Sequence, residues 1–136
     1  MRKRTRAREI ALQLLYQVDA RGPEGLEEME EYLARETGSA EDVRTFARRL
    51  VEGTIAAQER IDAILSKAAQ NWKLDRMALV DRNILRMAVF EMLELDEVPP
   101  KVAINEAIEL GKRYSTQQSG SFINGVLDRI RQEAGL

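Results

Sequence analysis

Apolar side chains recur with the 3.6-residue period of an α-helix along almost the whole chain, and no stretch alternates with the period of two that a half-buried strand requires. From about Thr5 to Ala20, Ala7, Ile10, Ala11, Leu14 and Val18 share one face, and Leu12, Leu15 and Tyr16 form a second stripe. Only a narrow line through Arg6, Glu9, Gln13 and Gln17 stays polar, which predicts a central helix with a charged tip, buried around most of its circumference. Gly22-Pro23 ends it. An acidic segment from about Glu24 to Glu36 then turns Leu26, Met29, Tyr32 and Leu33 inward and stops at Gly38. Ser39 and Asp42 have the spacing of a capping box for a long stretch through Val43, Phe46, Ala47, Leu50, Ile61, Ile64, Leu65 and Ala68, with a bend expected at Gly53. The pattern breaks at Asn71-Trp72-Lys73-Leu74, resumes from Leu79 to Leu95, and is punctuated by Pro99-Pro100. Val102 to Tyr114 reads as a further helix and Ser115 to Ser121 as a polar link. Phe122, Ile123, Val126, Leu127 and Ile130 supply the inner face of the last helix. The expected fold is all-α, about seven helices forming a single domain over residues 1–136, with a seam between two helical halves near Trp72. Trp72 itself is expected in the core, on its size.

Composition narrows the chemistry. The chain has no Cys and no His, which removes disulfides, thiolate nucleophiles, Cys-ligated zinc and the imidazole base of a hydrolase triad. No phosphate-binding glycine loop is present, and Gly111-Lys112 is an isolated pair. Glu91, Glu94, Asp96, Glu106 and Glu109 read as solvated groups on charged helices, so no catalytic residue, metal site or cofactor is assigned. The chain reads as a binding protein, not an enzyme. No apolar run approaches the ~20 residues of a membrane span, and no secretory pattern follows the basic start, so no membrane association and a cytoplasmic location are expected.

A net charge of −2 conceals an uneven layout. Arg2, Lys3, Arg4, Arg6 and Arg8 crowd the first eight residues without an acid. Between Glu24 and Asp42 eight carboxylates face Arg35 alone. A basic tip on an anchored helix suits a nucleic-acid backbone, because Lys and Arg release counterions from phosphate and a held side chain loses little entropy on binding. Five such contacts would give single-stranded RNA binding a log–log salt slope of roughly −3.5. Phe122, beside the polar link, could stack on an unpaired base, the plainer reading being an anchor for the last helix.

Five segments give the chain a family resemblance. They are Arg4-Thr5-Arg6-Ala7-Arg8-Glu9, Ala11-Leu12-Gln13-Leu14-Leu15-Tyr16, the run from Val80 to Arg86, the run from Val102 to Leu110, and Ser119-Gly120-Ser121-Phe122-Ile123-Asn124-Gly125-Val126-Leu127-Asp128. In this order they resemble the NusB family of bacterial transcription antitermination factors. The resemblance implies an all-helical fold of two helical subdomains that binds boxA single-stranded RNA jointly with NusE, a small-subunit ribosomal protein. With other Nus factors the pair loads onto RNA polymerase and suppresses premature termination in ribosomal RNA operons. Carried over by position, the arginine-rich start (Arg4, Arg6 and Arg8, with Arg2 and Lys3 beside them) contacts RNA, Gln118 and Phe122 form a second RNA-contacting region, and Tyr16 and Asp81 meet NusE. Thr5 interrupts the family's usual arginine run, Ser121 stands where Lys or Arg is usual, and Gln118 replaces an acid found in some members. Two other roles fit such a chain: the RNA-binding accessory domain of some ribosomal RNA methyltransferases, and a structural homodimer with its arginine-rich start buried.

Overall fold

The first apolar stripes become helix α1, Lys3–Arg21, which runs until Gly22 reverses the chain at a φ of 87°. The computed structural model describes residues 2–70 and 72–136, and among them are seven α-helices and no strand. No helix among the described residues is long and apolar enough to cross a membrane.

The expected acidic helix is shorter and later than its charge pattern suggests. Pro23–Leu26 forms a 3-10 turn, and α2 spans Met29–Thr37 with Leu33 fully buried. Helices α3 (Glu41–Ala56) and α4 (Gln58–Ala68) follow. The Ser39–Asp42 capping box does not form: Ser39 lies in the turn after Gly38, and Ala40 stands at the helix entrance with no side-chain cap. The bend also moves, from Gly53 to Ala57. Gly53 stays helical and serves packing instead, since the ring of Phe90 occupies the space a Cβ would need. Of the four residues read as a break after α4, Asn71 lies outside the described residues. Leu74–Arg76 makes a second 3-10 turn.

Helix α5, Leu79–Glu94, is buried continuously from Asn83 to Met92. It touches α1, α3, α4, α6 and α7, and so joins the early helices to the late ones. Pro100 opens α6, Pro100–Tyr114, where its missing N–H leaves no hydrogen bond unmade. The polar link shrinks to Ser115 and Thr116, because α7 begins at Gln117 and runs to Glu133. One cluster of buried apolar side chains, from Ala7 on α1 to Ile130 on α7, runs through all seven helices.

Part of the junction is polar. Asp19 on α1 accepts from Arg82 at 2.9 Å through Nε and through Nη2, from Asn83 Nδ2 at 2.9 Å and from Arg86 Nη1 at 3.1 Å. Arg86 also forms a two-pronged bond to Asp62 on α4 at 2.8 and 2.9 Å, and Arg82 reaches the Leu74 carbonyl at 2.9 Å. Three helices and a turn thus meet on two carboxylates. Burial by itself would raise the Asp19 carboxyl, but the hydrogen bonds from Arg82 and Asn83 and the charges of Arg86 and Arg82 hold it below its ordinary 3.8. A depressed carboxyl contributes stability in full above that ordinary value and loses it as pH falls through the depressed one. Asp19→Asn is therefore expected to cost about 1.5–3 kcal/mol at neutral pH, the range of hydrogen bonds to charged groups. It should also flatten the acid limb of the stability curve; urea titrations between about pH 2 and 7 compare the two proteins.

Candidate nucleic-acid and partner interface

Arg2 stands in extended conformation at the entrance of α1, and Lys3, Arg4 and Arg6 occupy its first turn. Arg2, Lys3 and Arg4 are exposed. The Arg4 guanidinium lies 4.5 Å from the centre of the Phe46 ring on α3, a contact that steadies it while leaving its donors free. Lys3 Nζ is 3.2 Å from Asp42, but both side chains are 74% exposed, so water and salt weaken the pair. Arg6 reaches Glu36 of α2 at 3.1 Å and lies 3.9 Å from Glu9. A phosphate at Arg6 must compete with that acid.

Arg8 departs from the expectation. Its side chain is 3% exposed and points into the α1–α5–α6 junction, where it bonds Glu91 at 2.7, 2.9 and 3.1 Å and Glu106 at 3.0 Å. Thr5 donates to the same Glu106 oxygen at 2.5 Å. Arg8 is thus a structural cation and not part of the exposed basic tip. Glu9, expected on a solvated line, is 6% exposed and accepts from Arg113 Nη1 and from the Tyr114 hydroxyl, each at 2.5 Å. Burial and the neighbouring Glu9 carboxylate together push the Tyr114 phenol up from its ordinary range. Neither Arg113 nor Tyr114 is marked by sequence periodicity; their only signal is position, at the end of α6 beside the polar link.

The second region is built by α7. Thr116 caps it, accepting from Ser119 N at 3.2 Å, while Thr116 N donates to the Ser119 hydroxyl at 3.4 Å. That hydroxyl lies 3.1 Å from Asp81 Oδ2 and 2.9 Å from Ser115 Oγ. Gly111 allows α7 this close, because a Cβ there would meet Ile123 at 2.6 Å. The result is a groove of about 330 Å³ in which Asp81, Gln118 and Phe122 come together with Trp72, Arg76 and Met77. Asp81 Oδ1 is buried with no partner among the described residues. Gln118 is exposed and Phe122 half-buried. Trp72 corrects the core expectation: it is 56% exposed, because it follows α4 where the apolar stripe has ended, and its indole packs edge-on against Phe122.

Tyr16, 38% exposed, lies in a neighbouring groove of about 190 Å³ with Glu9, Leu12, Gln13, Val80 and Tyr114. Val80 and Asp81 are consecutive on α5, so the Tyr16 groove and the Gln118–Phe122 groove flank the start of that helix. Among the described residues, no group of three or more Asp or Glu is arranged to hold a metal ion.

The NusB family model matches residues 5–132 of the chain. The transcription antitermination protein NusB of Desulfosudis oleivorans is 48% identical over 138 residues, spanning 99% of this chain and 89% of the relative. The protein of that name from Anaeromyxobacter sp. is 52% identical over 132 residues, spanning 94% and 89%. A chain in the crystal structure of antitermination factors NusB and NusE in complex with dsRNA matches with a TM-score of 0.87 at 32% identity, over 98% of both chains. T. maritima NusB matches with a TM-score of 0.84 at 37% identity, over 96% of this chain and 91% of that one.

The burial of Arg8 has a measurable consequence. Arg8→Ala leaves Glu91 charged and unpaired in the interior, a loss of about 3–5 kcal/mol, whereas Arg8→Met combined with Glu91→Leu should recover most of it. Thermal melts of the two variants separate this role from a surface one, in which Arg8→Ala would leave stability unchanged.

Proposed function

The chain belongs to the NusB family, and on that premise we propose that it is an RNA-binding adaptor, gripping boxA RNA jointly with NusE and joining other Nus factors on RNA polymerase to support read-through of ribosomal RNA operons. One observation carries the reading: a pinned helix holds Arg2, Lys3 and Arg4 exposed at its tip with Arg6 half-buried beside them, and Arg6 lies next to Glu9, which lines the Tyr16 groove. Guanidinium and ammonium groups fix a transcript by its phosphates and carry little sequence information, so discrimination falls to base contacts elsewhere. Gln118 and Phe122 supply an amide and a ring for those contacts.

NusE docks, in this reading, over the Tyr16 groove and toward Asp81, the residue after Val80 at the start of α5. RNA and NusE then occupy adjoining surfaces of α1, α5 and the α6–α7 corner. Each ligand strengthens the other by the same factor, as linkage requires. No bond is made or broken.

With Arg8 internal, four cations remain for the start of α1, and their share of the salt slope on single-stranded RNA falls to roughly −2.8. Replacing Arg4 and Arg6 together by Ala should shrink the measured slope by about 1.4. An unchanged slope removes the helix tip from the interface. In a parallel pull-down, Tyr16→Ala is expected to lose NusE while Arg4→Ala with Arg6→Ala retains it; capture of NusE by Tyr16→Ala at wild-type level would overturn the partner assignment.

A further inference from the structure

Trp72 is the sole tryptophan of the chain and the most exposed large apolar side chain of the described residues, yet its backbone is held, with its N–H bonded to the Ala69 carbonyl at 2.9 Å. Its ring centre is 6.1 Å from that of Phe122, the planes crossing at 71°. Two rings at nearly a right angle form a ridge with a groove on each side. The groove toward α5 contains Asp81, a carboxylate that repels phosphate. The other, about 280 Å³ between α4 and α7, is lined by no acid, and its single charged group is Arg129. Among the described residues Arg129 has no carboxylate within 4.0 Å, in a protein where most arginines are paired.

An aromatic face beside an unpaired guanidinium in an acid-free groove is complementary to an unpaired nucleotide: the ring takes the base and the cation takes the phosphate. We propose that Trp72, braced by Phe122, is a stacking platform for one unstacked RNA base, with Arg129 holding the adjoining phosphate in the α4–α7 groove. This rests on the RNA-binding reading above and extends the bound strand beyond Phe122 onto the other side of the ridge. A base inside a duplex has no free face, so the platform selects single-stranded RNA.

The test uses the full chain bound to NusE and a single-stranded boxA oligoribonucleotide, with the same sequence as a duplex for comparison. 5-Fluorotryptophan incorporated into the chain gives one 19F resonance, because there is one tryptophan. That resonance is expected to move with the single strand and not with the duplex. Trp72→Ala should weaken single-strand binding about 5- to 150-fold, the range for one lost base stack, and Trp72→Phe should restore most of it. Arg129→Ala should reduce the salt slope by about 0.7. If Trp72→Ala leaves affinity unchanged while Arg4→Ala with Arg6→Ala weakens it, the platform is wrong and the RNA reading stands. If the resonance responds to NusE and not to RNA, the ridge is a protein seat and the proposal fails. Absence of any RNA binding by the wild-type complex overturns both.

Discussion

Arg8 sits between two carboxylates inside the protein, and the setting of the basic side chains at the start of α1 follows from that placement. Its guanidinium joins α1 to Glu91 on α5 and Glu106 on α6, one turn below the exposed tip. Burial pushes the Glu91 carboxyl up, against the pull of Arg8, so the pair works under a desolvation penalty. Such an arrangement contributes little net stability, but losing one partner is expensive. That asymmetry fixes register: α1 cannot slide or rotate without leaving a bare charge in the core. Arg4, one turn away, and Arg6, between the two, are thereby displayed in fixed directions, so less freedom would be lost in the proposed contact with a phosphate chain.

The same logic recurs twice along α1. Glu9 clasps the end of α6 through Arg113 and Tyr114, and Asp19 gathers Arg82, Asn83 and Arg86 from α5. The segment from Val80 to Arg86 is therefore largely a structural junction, although its composition could pass for a binding surface. Its first two residues form the exception. Val80 and Asp81 precede the buried part of α5 and open onto the two grooves, so one helix supplies both the core and the corner where partner and nucleic acid are proposed to meet.

The α6–α7 corner depends on small residues. Gly111 lets Ile123 approach, and the Thr116 cap starts α7 early enough to bury Ser119 and aim its hydroxyl at Asp81. A segment that reads as a polar, flexible link is thus mostly a helix terminus. Serine and glycine lower helix propensity in isolation, and tertiary packing overrides that preference here. Phe122 consequently projects from the second turn of a capped helix rather than from a loop.

The amino-acid sequence alone determined that the chain would be helical and where its charge would gather, since a 3.6-residue period and a run of arginines are local properties carried by neighbouring residues. Which of those arginines would stay outside was not local. Arg4 and Arg8 are one turn apart on the same face, and only the arrival of Glu91 and Glu106 from distant segments draws the second inward while Phe46 receives the first at the rim. Trp72 went unread for the complementary reason: its size suggests burial, whereas its exposure depends on where α4 stops relative to α7. Tertiary structure decided these positions because a charge or a ring is buried or displayed according to what the rest of the chain brings within reach of it.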